Sequence, residues 1–496
     1  MPQARTAVRA AGPWAALGVA LVVVLLALAG CASAPPPQAE AARIDVPMAW
    51  SASEGDASLP TSANAPSLAR WWARFSDPQL TALEAQALQA NTTVTGAQAA
   101  LRQARALRDV AAAALRPSLG VSASAQHSSS GVGAGRSTAN NFQAGLDASW
   151  ELDIFGAHRD ALNASEASAR ASAASLGDVQ VSIASELALA YITLRAGQAR
   201  LLIAQENLAN QQDTLQITQW RQQAGLVTAL EADQARASAE QTRALLPALQ
   251  TGIAQTRHAL AVLTGQPPAN LAASLAPVMP VPQASDDLVL AIPAETLRQR
   301  PDVRAAELQV TAALARVAQA DAARAPSFRL SGTLGWSALT LGALTDGASV
   351  VSSLLAGVSL PLFDGGAASA QLRAQQAAAD QARVVYLATV LAALREVEDA
   401  LVALRGDRLR LTSLHNAADA ATRAAGLARQ RYSSGLVDFQ TVLETQRTQL
   451  STQDSVASAS ADVSSDHVRL YKALGGGWQA EADASTSRAA HTSNPP

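Results

Sequence analysis

The sequence predicts a mainly α-helical protein with a membrane β-barrel portion, built from two copies of one unit. Three observations predict this. The run from Ala157 to Ala224 contains no proline and repeats leucine every seven residues. Four shorter stretches alternate apolar with small or polar side chains at period two. The chain also matches itself at a near-constant shift of 209 to 210 residues.

At 496 residues the chain exceeds the length at which one compact core stops growing. Yet aromatics are only 4% and charged residues 16%. Such a composition suits long, closely packed helices better than a thick globular core. A formal charge of −3 argues against a nucleic-acid partner, which needs a basic excess. Cys31 is the sole cysteine and the six histidines are scattered, so no disulfide framework and no cysteine zinc site can form. The composition points to no cofactor and no metal.

Residues 1–30 read as a bacterial export signal. Arg5 and Arg9 supply the positive end, and Leu17 to Leu26 supply the apolar core. The core runs into Leu28-Ala29-Gly30-Cys31, a lipobox whose cysteine is the acylated group and the first residue of the mature chain. The bland reading is an uncleaved membrane helix that ends in a chance cysteine. Several acyl chains on Cys31 suffice for stable anchoring. Ala32 follows where an Asp would mark inner-membrane retention, so outer-membrane delivery is expected. Residues 31–67, with their Pro, Ala and Ser, read as the acylated start and a flexible tether.

The duplication places a first repeat over residues 68–275 and a second, with the proline-rich join, over 276–478; residues 479–496 read as a disordered tail. At shift 209, Val94 falls on Val303 and Pro117-Ser118-Leu119 on Pro326-Ser327-Phe328. At shift 210, Glu186-Leu187 falls on Glu396-Val397, Arg221 on Arg431, and Gly225-Leu226-Val227 on Gly435-Leu436-Val437. Each copy begins with a helical run, Leu80 to Leu115 or Ala294 to Arg324, ended by Pro117 or Pro326. Two strands follow, at 119–125 and 142–152 in copy one and at 328–336 and 354–362 in copy two. Segments 128–140 and 337–349 read as the loops between them. Strands of this length cross a bilayer when tilted.

Then the period changes. Leu187, Leu194, Leu201, Leu208 and Leu215 recur every seven residues, as do Val390, Val397, Leu404 and Leu411. Sustained heptads mean helices packed on partners through knobs-into-holes contacts. One continuous helix from Ala157 to Ala224 is about 100 Å long at roughly 1.5 Å per residue, a rod that suits a bundle or the wall of a tube. Gly225 and Gly435 permit tight reversals, and the chain returns from Glu231 to Leu263 and on to Leu474. Four strands per chain cannot satisfy their own edges in lipid, so other chains must complete the sheet; three copies supply twelve strands. The alternative is a soluble sandwich, against which the export signal and the long helices argue.

Several stretches then resemble the outer membrane efflux protein family, in its OprM-type (NodT-type) lipoprotein branch and more distantly TolC. They are Trp71 to Pro78, Trp150 to Gly156, Arg298 to Glu307, Pro361 to Gly366, Arg431 to Leu436 and Ala473 to Trp478. The resemblance spans residues 68–478 in order. It implies a TolC-like homotrimer with a twelve-stranded outer-membrane barrel continuing into a twelve-helix periplasmic α-barrel. It also implies a gated passive exit duct for drugs and other small molecules, coupled to a periplasmic adaptor (membrane fusion) protein and an RND-type inner-membrane transporter.

By the same resemblance, the adaptor-docking tips are Arg221, Gly225 and Leu226 with Arg431, Gly435 and Leu436. The periplasmic aperture is assigned to Glu444, Gln440 and Tyr432. Glu444 stands where the family carries an acidic residue, usually Asp, that narrows the closed tunnel. Gln440 replaces an apolar gate residue with an amide. Tyr432 matches a latch tyrosine, whose basic partner in the family is replaced by Val437. Taken alone, Glu444 reads as a solvated helix charge, and Arg221 and Arg431 as complements to a helix dipole. A channel for protein secretion shares this architecture, and a coiled-coil lipoprotein without a pore is the reading from another class.

No enzyme signature survives inspection. Gly131-Val132-Gly133-Ala134-Gly135 lacks the spacing of a phosphate loop, and Gly475-Gly476-Gly477 has no following Lys-Ser or Lys-Thr. His158, His258, His415 and His467 sit at unrelated helical places and are expected at the surface.

Overall fold

The computed structural model describes residues 46–51, 68–131, 137–285, 290–345 and 350–478. Cys31, the export signal and the tail lie outside the described residues. In chain order the helices and strands are α1 (Pro78–Ala90), α2 (Thr92–Ala113), β1 (Ser118–Ser130), β2 (Ser137–Leu152), α3 (Ala157–Gln223) and α4 (Ala229–Leu263). Then come α5 (Pro293–Gln299), α6 (Pro301–Ala322), β3 (Ser327–Ala338), β4 (Val350–Ser359), α7 (Ala367–Ser433) and α8 (Phe439–Ala473). Two helices, two strands, one long helix and its return occur twice in the same order. α3 and α7 each have 67 residues, and α4 and α8 each have 35.

Each leading helical run is broken in two, where a single helix was expected. In copy one the break is Asn91, whose side chain accepts from the N–H groups of Thr93 and Val94 and donates to the Leu263 carbonyl at 2.8 Å. An Asn that caps a new helix ends the old one. In copy two Pro301 opens α6, and Arg300 before it is extended because proline disfavours the α region there. Pro247 lies inside α4 and does not end it.

The chain divides into two compact units, the first made of residues 114–160 and 316–373. It holds a four-stranded antiparallel sheet in the order β1-β2-β3-β4. β1, β2 and β3 are longer than alternation predicts, whereas β4 starts earlier, at Val350, and stops at Ser359, short of the expected Leu362. The expected loop 128–140 is largely ladder, since Ser128 pairs with Ala139 and Ser130 with Ser137. Serine-rich ends carry no apolar alternation, so backbone pairing there leaves no trace in the sequence.

The register sorts the sheet into two faces. Val121, Leu146 and Leu334 share one face, which extends through Phe142, Ala144, Trp150, Phe328, Trp336 and Leu354. The other carries Ser122, Gln143, Asp147, Glu151, Arg329 and Thr333, with Val351 and Leu355 of β4 as its apolar exceptions. Leu119, Val121 and Leu354 are among the exposed large apolar side chains of the apolar face. Gly145 stands opposite Gly335. A Cβ on Gly335 would lie 2.5 Å from the Ala144 carbonyl oxygen and 2.7 Å from the Gly145 Cα, so the two strands meet there only without side chains.

The second unit holds the described residues within 46–113, 161–315 and 374–478. Its core buries Leu187, Leu194, Val397 and Leu404 from the two heptad series, together with Trp71, Phe75, Tyr191 and Tyr471. Elsewhere the seam is alanine: Ala164, Ala167, Ala171 and Ala174 on α3, and Ala418, Ala421, Ala425 and Ala428 on α7, are buried at 3-4-3 spacing. Small knobs bring backbones close, which is why so little bulk suffices.

The join is bound to the helices. Leu275 and Pro277 accept from Gln198 and Arg195 of α3, and Pro282 accepts from Ser464 of α8. Two expectations are corrected here. The segment 31–67 is not tether throughout: Trp50 is 1% exposed, and its indole donates to the Ala291 carbonyl at 2.8 Å. His467 is buried and not at the surface, with Nδ1 on the Val463 carbonyl and Nε2 against Arg408.

Candidate functional site

The nine residues singled out at the tips and aperture cluster at the reversals between α3 and α4 and between α7 and α8. The two reversals have the same hydrogen-bond geometry. At the first, Leu226 N–H donates to the Arg221 carbonyl and Gly225 N–H to the Gln222 carbonyl. At the second, Leu436 donates to Arg431 and Gly435 to Tyr432. Each is a Schellman end that satisfies the last helical carbonyls. It requires a left-handed residue, and Gly225 and Gly435 supply it with φ of 71° and 73°. The side chain that follows is thrown outward. Leu226 is 70% exposed and Leu436 is 73% exposed, matching apolar points on the two tips. Asp438 caps α8 by accepting from the Thr441 N–H at 2.8 Å, and the bond from the Thr441 hydroxyl, with this backbone bond, holds its carboxyl below the usual range.

Behind the tips the hairpins are pinned together. The Arg221 guanidinium lies 4.6 Å from the centre of the Tyr432 ring. The Tyr432 hydroxyl donates to Glu231 at 3.3 Å, so one tyrosine of α7 engages both α3 and α4. Tyr432 is buried against Phe439, Val442, Leu443, Ala428 and Ala235. Burial, with the Glu231 carboxylate beside it, raises the Tyr432 hydroxyl above its ordinary pKa; Arg221 acts in the opposite direction. The cation that meets the Tyr432 ring is thus Arg221 of the other hairpin, while Val437 packs against the apolar cluster. Arg431, at the equivalent place on α7, is exposed.

Gln440 and Glu444 are one turn apart on α8 and both exposed, opposite the buried Phe439, Val442, Leu443 and Gln446. They form one polar face with Thr448, whose hydroxyl donates to the Glu444 carbonyl. No group of three or more His, Cys, Asp or Glu suited to a metal occurs among the described residues.

A polar ladder between α3 and α8 went unread in the sequence. Arg200 pairs with Asp454 at 2.6 Å, Asn207 donates to Gln453 at 2.9 Å, and Thr214 accepts from Gln446 at 3.0 Å. Arg200, Asn207 and Thr214 recur every seven positions, each one before a heptad leucine (Leu201, Leu208, Leu215), and Arg221 continues the same spacing. The signal was present as a polar heptad, but the partners lie more than 230 residues away.

A sheet with one largely apolar and one largely polar face, and two long helical hairpins joined through polar contacts, are parts suited to a membrane channel protein. The family described as Outer membrane efflux protein matches residues 83–266 and 292–476, and this chain belongs to it. It is 33% identical over 474 residues to the pyoverdine export outer membrane protein OpmQ of Pseudomonas putida, covering 93% of this chain and 98% of that one. It is 31% identical over 467 residues to the toluene efflux pump outer membrane protein TtgF of Pseudomonas putida, covering 92% and 96%. The solved structure of the outer-membrane channel OprN matches with a TM-score of 0.82 and 36% identity over 90% of this chain and 98% of that one. The fold is TolC-like, and the protein is an outer-membrane efflux channel extending into the periplasm. These relatives speak for efflux over protein secretion and identify a transport protein that serves as the outer-membrane component of a pump.

Proposed function

We propose that three copies of this chain close into a passive, gated exit duct for drugs and other small molecules. The observation that carries the reading is the sheet: four strands, open along β1 and β4, with one face suited to lipid and one to water. In hydrocarbon an open edge leaves backbone groups unpaired, each at a cost of several kcal/mol. Pairing β4 of one chain with β1 of the next removes every edge, and three chains give a twelve-stranded barrel with a water-filled lumen.

On this reading Cys31 carries the acyl anchor in the outer membrane. The exposed tips, Arg221 to Leu226 and Arg431 to Leu436, receive the periplasmic adaptor, and an RND-type transporter delivers solutes from the inner membrane. Tyr432, held by Arg221 and Glu231, keeps the hairpins closed. Glu444, repeated by the threefold, places three carboxylates around the aperture and favours cations there, while Gln440 makes that aperture polar. Toluene and pyoverdine in the names of relatives support small organic solutes as the cargo. The test is direct. Protein purified from membranes in mild detergent is expected to have the mass of three chains and to form conducting pores in planar bilayers; a silent monomer overturns the proposal.

A further inference from the structure

The sheet contains few charges, and their placement is uneven. Among its described residues the charged side chains are Asp147 and Glu151 of β2 and Arg329 of β3. Glu151 and Arg329 face each other in the register and approach to 3.4 Å, so they cancel. Asp147 has no such counter-charge; its carboxylate accepts from the Ser122 hydroxyl. It lies on the polar face with Gln143 and Thr333, directly opposite Thr333.

Depth matters as well. On the apolar face, Phe142 and Trp336 stand at one end and Trp150 and Phe328 at the other, the aromatic girdles of a membrane barrel. Eight residues separate Phe142 from Trp150, about 26 Å along the strand and about 20 Å along the membrane normal at a tilt of roughly 40°. Asp147 falls between the girdles, at the level of hydrocarbon. A charge at that depth is tolerated where its face meets water.

We propose that Asp147 is the charge-selecting residue of the barrel: three copies line the lumen as an anionic ring that favours cationic over anionic small solutes. The inference rests on the trimeric reading above. Twelve strands about 4.8 Å apart at that tilt give a backbone radius of about 12 Å, which places the carboxylates about 10 Å from the axis. Three unit charges at that distance in water raise the cation concentration on the axis about fourfold at 0.01 M salt, about twofold at 0.1 M and not measurably at 1 M. Glu151 and Arg329 contribute no net charge to this effect.

The experiment measures reversal potentials of single channels under potassium chloride gradients, in a Glu444→Gln background that removes the aperture ring. Asp147→Asn is expected to lower the cation-to-anion permeability ratio at least about twofold at 0.01–0.1 M salt, with no change at 1 M. Adding Thr333→Asp, on the opposed residue, restores the ratio, because charge at that height is what matters; a structural role through Ser122 gives no such rescue. Thr333→Asp alone raises the ratio, which keeps the proposal testable if Asp147→Asn does not assemble. A conducting channel whose ratio ignores Asp147→Asn or Thr333→Asp, or a change that persists at 1 M salt, overturns the inference while leaving the duct intact. Absence of conducting channels in both the unaltered protein and the Glu444→Gln background overturns the duct and the inference together.

Discussion

Opening at the tips can be set against the energy that holds Tyr432. Tyr432→Phe keeps the ring, its contact with Phe439 at 5.4 Å between centres and the seat for Arg221; it loses the hydrogen bond to Glu231. A bond to a carboxylate at 3.3 Å is at the weak end of charge-assisted bonds, about 1 kcal/mol. Arg221→Met keeps apolar bulk and loses the cation over the ring, also about 1 kcal/mol for a ring this buried. If three chains open together, each substitution shifts the equilibrium by about 3 kcal/mol, roughly 150-fold toward open. Tyr432→Ala is unsuitable because it empties the small apolar cluster around it. The assay is open probability of single channels in planar bilayers, with trimer mass checked for each variant. Intact trimers of both variants whose open probability stays within threefold of the parent would show that this contact does not hold the tips.

Three further outcomes follow from particular groups. Glu444→Ala is expected to weaken the channel's preference for cations over anions, measured by reversal potential; an unaltered preference removes Glu444 from the aperture. Burial pushes the Asp466 carboxyl up to about 6, with Arg469 opposing and Asp407 adding to the rise. The folded protein thus keeps this proton up to about pH 6, while the unfolded chain releases it near pH 4. The contribution to stability is full below about pH 4 and lost as pH rises through 6, a change on the order of 2–3 kcal/mol. The melting temperature of the detergent-solubilised protein should fall across that window and fall less in Asp466→Asn; an equal slope in both proteins contradicts the assignment. Glu84, 0% exposed with both carboxylate oxygens unpartnered, is raised by burial and acts in the same direction. Finally, Gly335→Ala drives a Cβ into the β2 backbone and should sharply lower the yield of assembled oligomer, at a cost of about 1–3 kcal/mol. Gly357→Ala, with nothing within 4 Å, should not; equal yields of the two variants on native gels refute the close approach.

The parts most legible in the sequence were those with a period. Leu187 to Leu215 announce a helix seam because the backbone repeats every 3.6 residues wherever its partners lie, and Val121 or Leu334 announce a strand face because side chains alternate. Gly225 and Gly435 mark the tips because a Schellman end needs a left-handed residue whatever surrounds it. These are local demands of backbone geometry, written into neighbouring residues. Pairing is different. Arg221 has a helix dipole nearby and reads as its complement until the fold sets it over Tyr432, 211 residues later. Trp50 lies in what composition calls a tether until the Ala291 carbonyl receives its indole. His467 reads as surface until α7 covers it with Arg408. Whether Glu151 carries charge into the lumen depends on Arg329 in another strand, and that alone leaves Asp147 uncompensated. Local geometry determined which elements form; which charges are neutralised, buried or left facing water was decided by contacts between segments from 59 to 241 residues apart, where no period exists to be read.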